Sequence, residues 1–319
     1  MIEYYKTGAD GVTVQVNEPQ KGCWINVVAP TERERAWLRN DAGILPEFIR
    51  SALDEEESAH VDYDEDAHQT LVIVDCPAVV EGEGAEDPSL TEYETHPLSV
   101  LFLTDLDMLV TISLHENSAI EDMATGKIRP FNTNQRTRIL LQLLLKVSQR
   151  YVVCLRNISR QFSRTEKTLH ASMKNPELIK MLGLQKSLVY FSISLKADRV
   201  MLDRISGGRT IRLYEDDKDL LDDVMIELRQ AMEMCDICST ILSSTMDTFG
   251  SVISNNLNSA MKMLTALTLI LAIPNVVFSF YGMNVDELPL HFTWILPAAV
   301  AVGGCVVAAL IFLKKDMFK

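Results

Sequence analysis

Taken by alternating steps of three and four residues, the C-terminal third of the chain gives Asp247, Ser251, Ser254, Asn258, Met261, Thr265, Thr268, Ala272, Asn275 and Ser279. Nearly all are polar or small, and that spacing places them on one face of a helix. Thr265, Thr268 and Asn275 stand in a stretch otherwise rich in Leu, Ile, Val and Phe. Polar groups turned toward lipid are costly, so the stripe must face protein or water. Two chemistries meet that requirement. Small residues allow close helix packing, or hydroxyls and amides line a watery path. The periodicity and the lack of any second candidate for a pore wall favour the path. Tyr281-Gly282-Met283-Asn284 closes the stripe, with Asp286 and Glu287 just beyond.

The elements that carry these residues are legible from charge alone. No Asp, Glu, Lys or Arg occurs from Met263 to Val285, and none from Leu288 to Leu313. A helix crosses the hydrocarbon core with about 20 apolar residues, so both runs are long enough. Both lie far from the N-terminus, which has no apolar leader. The loop between them holds Asp286, Glu287 and His291 but no Lys or Arg, whereas Lys314, Lys315 and Lys319 follow the second run. The positive-inside rule puts the tail in the cytoplasm and the loop outside. Two spans then return the N-terminal part to the cytoplasm as well, and the expected location is the cell (inner) membrane.

Composition narrows the function classes. The net charge of −14 over 319 residues argues against a nucleic-acid partner. No G-x-x-x-x-G-K-[ST] loop is present, so no nucleotide is expected. The six cysteines are scattered, and a reducing cytoplasm would keep them as thiols; Cys235 and Cys238 match C-x-x-C but lie in a strongly helical stretch. The six histidines show no H-x-x-x-H or H-E-x-x-H spacing, and no nucleophile motif occurs, so an enzyme is not expected.

Residues 1–130 read as a cytoplasmic α/β domain. Strands are expected at Gly11 to Val16, Trp24 to Val28, Thr70 to Val74, Leu98 to Leu103 and Met108 to Ser113. Thr31 and Glu34 are spaced as a capping box, and Pro46 to Glu57 reads as a helix. Glu81 to Glu94 is a Gly/Glu-rich surface loop. Pro and Gly then nearly vanish. Long helices are expected at Asn134 to Met173, Pro176 to Ile205 and Glu215 to Tyr281, broken at Asn175-Pro176 and Gly207-Gly208. The domain plan is therefore 131–214 for antiparallel helices, 215–281 for a stalk helix that becomes the first span at about 261, 282–292 for the outer loop, 293–313 for the second span and 314–319 for the tail. A stalk of that length extends roughly 100 Å and needs partners. A cyclic homo-oligomer about an axis normal to the membrane supplies them.

At these residues the chain resembles the CorA-type divalent-cation channels. The resemblance rests on Met261-Lys262-Met263-Leu264-Thr265 through Tyr281-Gly282-Met283-Asn284, on the acidic Pro-containing loop and Lys-terminated second span, and on Trp24 through Glu32. It covers essentially the whole chain. The resemblance implies an α+β membrane protein assembled as a homopentameric funnel. The first span lines the pore, and Gly282, Met283 and Asn284 gather at its outer mouth. Neutral oxygens there suit Mg²⁺, which keeps its waters, and Asp286 and Glu287 concentrate cations by field. Asn258 matches an inner polar ring, and Met261 and Leu264 match an apolar constriction. Ala272 and Asn275 depart from the usual Met and Thr.

The same resemblance implies inhibition by cytoplasmic Mg²⁺ bound between subunits, so Mg²⁺ is both cargo and regulator. Six acids crowd residues 215–223, and by its distance from Asn258 the resemblance places Asp223 where the family has a stalk carboxylate of that site. The partner carboxylate is expected among Asp64, Glu65 and Asp66. The alternative is a solvated acidic helix start. Three functions follow: a magnesium channel that also admits cobalt and nickel, a Zn²⁺ transporter of the same fold, and a cytoplasmic sensor merely tethered by its spans. Met283, where zinc relatives tend to carry Ile, favours the first.

Overall fold

A computed structural model of the chain describes residues 1–80, 90–128, 130–172, 175–208, 210–283 and 295–315, with backbone alone at 170–172 and 175. The expected surface loop at Glu81 to Glu94 falls mostly outside these residues. The chain forms two compact units, Met1–Ser243 and Ser244–Lys319.

The first unit is built on a seven-stranded sheet in the order β2-β1-β3-β7-β6-β5-β4. The strands are β1 (Ile2–Thr7), β2 (Thr13–Val16), β3 (Trp24–Val28), β4 (His60–Asp64), β5 (Gln69–Val79), β6 (Tyr93–Leu103) and β7 (Met108–Ser113). All neighbours are antiparallel except β3 and β7. Helices α1 (Glu32–Asn40) and α2 (Pro46–Ala52) cover one face through Leu38, Ile44, Phe48 and Ile49 packed on Ile25, Leu71, Ile73, Leu101 and Val110. α3 (Ser118–Ala124) follows β7. The long helices are α4 (Arg136–Ser172), α5 (Asn175–Ser206) and α6 (Lys218–Tyr281), the last preceded by a 3₁₀ turn at Glu215–Asp217. α4 and α5 pack on each other and on β5 and β6.

β3 and β7 match their expected ranges, and the capping box forms: Thr31 N–H donates to Glu34 Oε2 at 2.8 Å and Glu34 N–H to Thr31 Oγ1 at 3.4 Å. Three expectations need correction. The expected strand from Gly11 begins only at Thr13, because Gly11 turns through a φ of +76°. The helix from Pro46 stops at Ala52, not Glu57. Asp54 through Glu57 are four consecutive acids, and carboxylates oppose the negative C-terminal end of a helix. Finally, β5 and β6 each run five residues further than expected, through Pro77 and Pro97. The sheet explains this. β4 stops at His60, opposite Ile73, and β7 stops at Ser113, opposite Leu98. Beyond those points each strand has one free edge, where a missing N–H costs no ladder bond.

The free edge of β5 is closed by helices instead. Asp75 N–H donates to Asp198 Oδ1 of α5 at 3.0 Å, and the Tyr151 hydroxyl of α4 donates to the Asp75 carbonyl at 3.0 Å. The cost is two buried carboxyls, 6% and 3% exposed, with no ion-pair partner among the described residues. Burial pushes Asp75 up to about 6, opposed in part by the Ser194 hydroxyl. Burial first, and then the charge of Asp75, push Asp198 well above the usual carboxylate range. Both groups hold protons more tightly when folded than when unfolded. Their contribution to stability is therefore complete below the unfolded carboxyl pKa of about 4 and is lost as pH rises through about 6 and beyond. Asp198→Asn keeps the Oδ1 acceptor and removes the ionisation. It is expected to raise the melting temperature of the full chain by several degrees at pH 8 and to change little at pH 4.5. An equal gain at both pH values would show that ionisation is not the cost.

Candidate ion-conduction site

In the second unit, α6 continues to Tyr281 and α7 spans Ile295–Lys314. Both are long and apolar enough to cross a membrane, and only 6% and 11% of their apolar stretches are buried. A core helix of a soluble protein would be mostly buried, so both helices are candidate membrane spans.

One face of α6 is taken by packing. Ala266 is fully buried, and Ile270, Ile273 and Val277 follow at helical spacing, half-buried. Ile273 lies so close to Gly304 of α7 that a Cβ there would stand 2.9 Å from Ile273 Cγ2. A second contact repairs a defect. Pro274 has no N–H to give the carbonyl of Ile270, four residues back. The Cys305 thiol of α7 donates to that carbonyl at 3.5 Å. An orphaned carbonyl inside hydrocarbon would cost several kcal/mol. Neither Gly304 nor Cys305 stands out in the sequence; the signal was Pro274, whose freed acceptor needs a donor from another span. Gly304→Val is expected to destabilise the unit by about 1–3 kcal/mol through overpacking. Its melting temperature should recover in the double variant with Ile273→Ala, and failure to recover would locate the strain elsewhere.

The polar stripe lies on a different face. Asp247, Ser251, Ser254, Asn258, Met261, Thr265, Thr268, Ala272, Asn275 and Ser279 are all exposed. At 3.6 residues per turn they point about 135° away from the face bearing Ala266 and Ile273. Leu264 flanks the stripe, 61% exposed, beside Met261 at 57%. The hydroxyls are arranged in one sense. Thr265 Oγ1 donates to the Met261 carbonyl and Thr268 Oγ1 to the Leu264 carbonyl, both at 2.8 Å, and Ser251 donates to Asp247 at 3.0 Å. Each proton is used within the helix, so the oxygen presents lone pairs outward. Such a row accepts hydrogen bonds from water held by a cation.

At the end of α6, Gly282 N–H donates to the Phe278 carbonyl at 2.9 Å, and Met283 is 56% exposed. A Cβ on Gly282 would stand 3.1 Å from that carbonyl. Asn284, Asp286 and Glu287 lie outside the described residues.

The acid cluster divides. Asp217 is 5% exposed and ion-paired with Arg138 at 3.2 Å, and Glu215 pairs with Lys218 at 2.8 Å. Asp219, Asp222 and Asp223 are exposed, because Leu221, Val224 and Leu228 take the buried face of α6. Asp64 Oδ1 accepts from Ala67 N–H at 2.7 Å and so closes the turn between β4 and β5, while Glu65 and Asp66 are exposed at its tip. Among the described residues no three His, Cys, Asp or Glu side chains already gather around one point. All six cysteines, Cys235 and Cys238 included, are free thiols.

An α/β unit, a long helix with an exposed polar face and a second apolar helix packed against it are the features of a membrane protein. The chain matches the family of CorA-like Mg²⁺ transporter proteins over residues 19–315 and belongs to it. It is 28% identical over 282 residues to the cobalt/magnesium transport protein CorA of Methanocaldococcus jannaschii, covering 86% of this chain and 83% of that one. It is 21% identical to the divalent cation transporter CmaX of Pseudomonas aeruginosa, covering 94% and 88%. The complete structure of the M. jannaschii CorA magnesium transporter superposes with a TM-score of 0.82 at 26% identity over 98% of each chain. Full-length CmaX shares the fold, with a TM-score of 0.73 at 17% identity. The chain is thus a Mg²⁺ transporter of a membrane, and its family is one of ion transporters rather than enzymes.

Proposed function

We propose that five copies assemble around the polar face of α6 and conduct Mg²⁺, and with it Co²⁺ and Ni²⁺, into the cell across the cytoplasmic membrane. Both termini are cytoplasmic, and the loop bearing Gly282, Met283 and Asn284 forms the outer mouth. The observation that carries the reading is the stripe from Asp247 to Ser279. It is exposed along its whole length, turned away from the packed face, and lined with hydroxyl acceptors. Mg²⁺ sheds its waters reluctantly, so a path of acceptors passes the hydrated ion where a cage of carboxylates would hold it. Met261 and Leu264 supply an apolar girdle that closes by dewetting. Asp286 and Glu287 attract cations to the entrance.

Cytoplasmic Mg²⁺ is also the regulator in this reading. A single chain gathers no metal-holding cluster among its described residues, so Asp223 needs a carboxylate from a second copy. Glu65 and Asp66 are the freer donors, because Asp64 already closes a turn. The Mg²⁺ reading is favoured over Zn²⁺ by the relatives of known cargo and by Met283. Native mass spectrometry in detergent is expected to give five copies per particle, and proteoliposomes should take up Mg²⁺ and Co²⁺ without a proton gradient. A stable monomer or dimer, or uptake that needs the gradient, would refute this assembly and mechanism.

A further inference from the structure

In the first unit, the fold brings together two histidines that are 19 positions apart in sequence and share no ligand-like spacing. His96 lies in β6, and His115 lies in the bend after β7. Their rings face each other with centroids 4.3 Å apart and planes tilted by 32°. Each ring has a carboxylate near the same atom. His96 Nε2 stands 3.2 Å from Glu94 Oε1, and His115 Nε2 stands 3.6 Å from Glu55 Oε1. Among the described residues neither Nδ1 has a hydrogen-bond partner. A carboxylate beside one ring nitrogen is the usual support of a metal-binding imidazole, and Glu94 and Glu55 stand within ion-pair distance for that role.

A third donor lies in the same row. Cys76 of β5 is directly opposite His96 in the β5–β6 register, so the two side chains leave the same face of the sheet with Cβ atoms about 5 Å apart. Cys76, His96 and His115 all line one open concavity of about 560 Å³, bordered by Asn117 and by Arg150 of α4. The three side chains do not yet converge on a point. Bringing them together requires rotation of both rings and displacement of the Cys76 thiol, which is 4% exposed, donates to the Val74 carbonyl and is held protonated by burial, so the metal must displace that proton.

We propose that His96, His115 and Cys76 form a binding site for a borderline transition-metal dication of the Zn²⁺, Co²⁺ or Ni²⁺ class. Two imidazoles and a thiolate suit such ions, with N–metal distances of about 2.0–2.1 Å and S–metal about 2.3 Å. Mg²⁺ demands oxygen and water in an octahedron and cannot compete there. Binding replaces the Cys76 S–H proton with the metal, and that proton passes to solvent. The site therefore distinguishes borderline transition-metal ions from Mg²⁺ by its nitrogen and sulfur donors.

The test uses the full-length chain in detergent on an Asn284→Ala background, which removes the mouth as a competing site. Co²⁺ is titrated in a large excess of Mg²⁺ and followed by visible and near-ultraviolet absorption. The expected result is one Co²⁺ retained per chain, with d–d bands of tetrahedral intensity, a sulfur-to-cobalt charge-transfer band and release of one proton. His96→Ala and His115→Gln should each weaken binding by about 100-fold. Cys76→Ala should abolish the charge-transfer band. In chains with the mouth intact, His96→Ala and His115→Gln should leave Mg²⁺ uptake and melting temperature unchanged. No Co²⁺ retained by the parent chain, retention that survives both histidine variants, or an octahedral oxygen-ligand spectrum would each overturn the site.

Discussion

Replacing Asn284 with alanine is expected to lower Mg²⁺ uptake by about 100-fold or more while the assembly survives. In the proposed pentamer five side-chain amides meet at the outer mouth, and each accepts a hydrogen bond from a water of the incoming ion. A net value near 1 kcal/mol per bond, lost several times over around the ring, exceeds the 2.7 kcal/mol that corresponds to 100-fold. The fold of each subunit does not depend on that amide, because α6 and α7 hold each other within the chain through Ile273, Gly304 and Cys305. The double change Asp286→Asn with Glu287→Gln acts differently. Those charges attract the ion from a distance, so its deficit should appear at low ion concentration and fade as salt shortens the Debye length. The measurement is fluorescent-indicator Mg²⁺ flux into proteoliposomes, with native mass spectrometry of the same preparation. Parental flux in Asn284→Ala would refute the assignment of the mouth to this motif.

What was legible in the sequence was what depends on local pattern. Trp24–Val28 and Met108–Ser113 are short runs rich in β-branched and other apolar residues, and they form strands over those ranges. Thr31 and Glu34 close their capping box without help from the rest of the fold. Gly208 ends α5 with a φ of +66°, as its place after a helical run requires. The polar stripe was legible because a period of 3.6 stands out against apolar surroundings. β1 and β4 were not legible: Ile2–Thr7 and His60–Asp64 are short and charged, and they become strands only because β3 and β5 offer them edges. Pro77 and Pro97 suggest strand ends, but whether a missing N–H matters depends on where the neighbouring strand stops. The pairs Asp75–Asp198, His96–His115 and Ile270–Cys305 join elements far apart in sequence, so no window of residues contains them. The acid cluster looked uniform in sequence, and the fold divided it: Arg138 holds Asp217 and Lys218 holds Glu215, which leaves Asp219, Asp222 and Asp223 to solvent.

That division sets up the second large effect, on gating. In the proposed ring of identical subunits, the exposed aspartates of α6, which have no ion pair among the described residues, would meet carboxylates of the adjacent copy and repel them. Bound Mg²⁺ converts the repulsion to attraction and favours the closed ring, because a ligand shifts an equilibrium by its differential affinity for the two states. Asp223→Ala removes a ligand and part of the repulsion, so the midpoint for inhibition by internal Mg²⁺ should rise by about tenfold, which corresponds to about 1.4 kcal/mol per site. Asp223→Lys supplies a fixed positive charge in place of the ion. That chain should remain closed in EDTA and resist limited proteolysis under conditions that expose the stalk of the parent. Neither change touches the mouth, so the order of ion preference should stay the same in both. Patch current and proteolysis across a Mg²⁺ titration separate these outcomes. If the midpoint is unchanged in both variants, the acids from Glu215 to Asp223 do no more than favour the N-terminal end of α6, and the regulatory ion binds elsewhere.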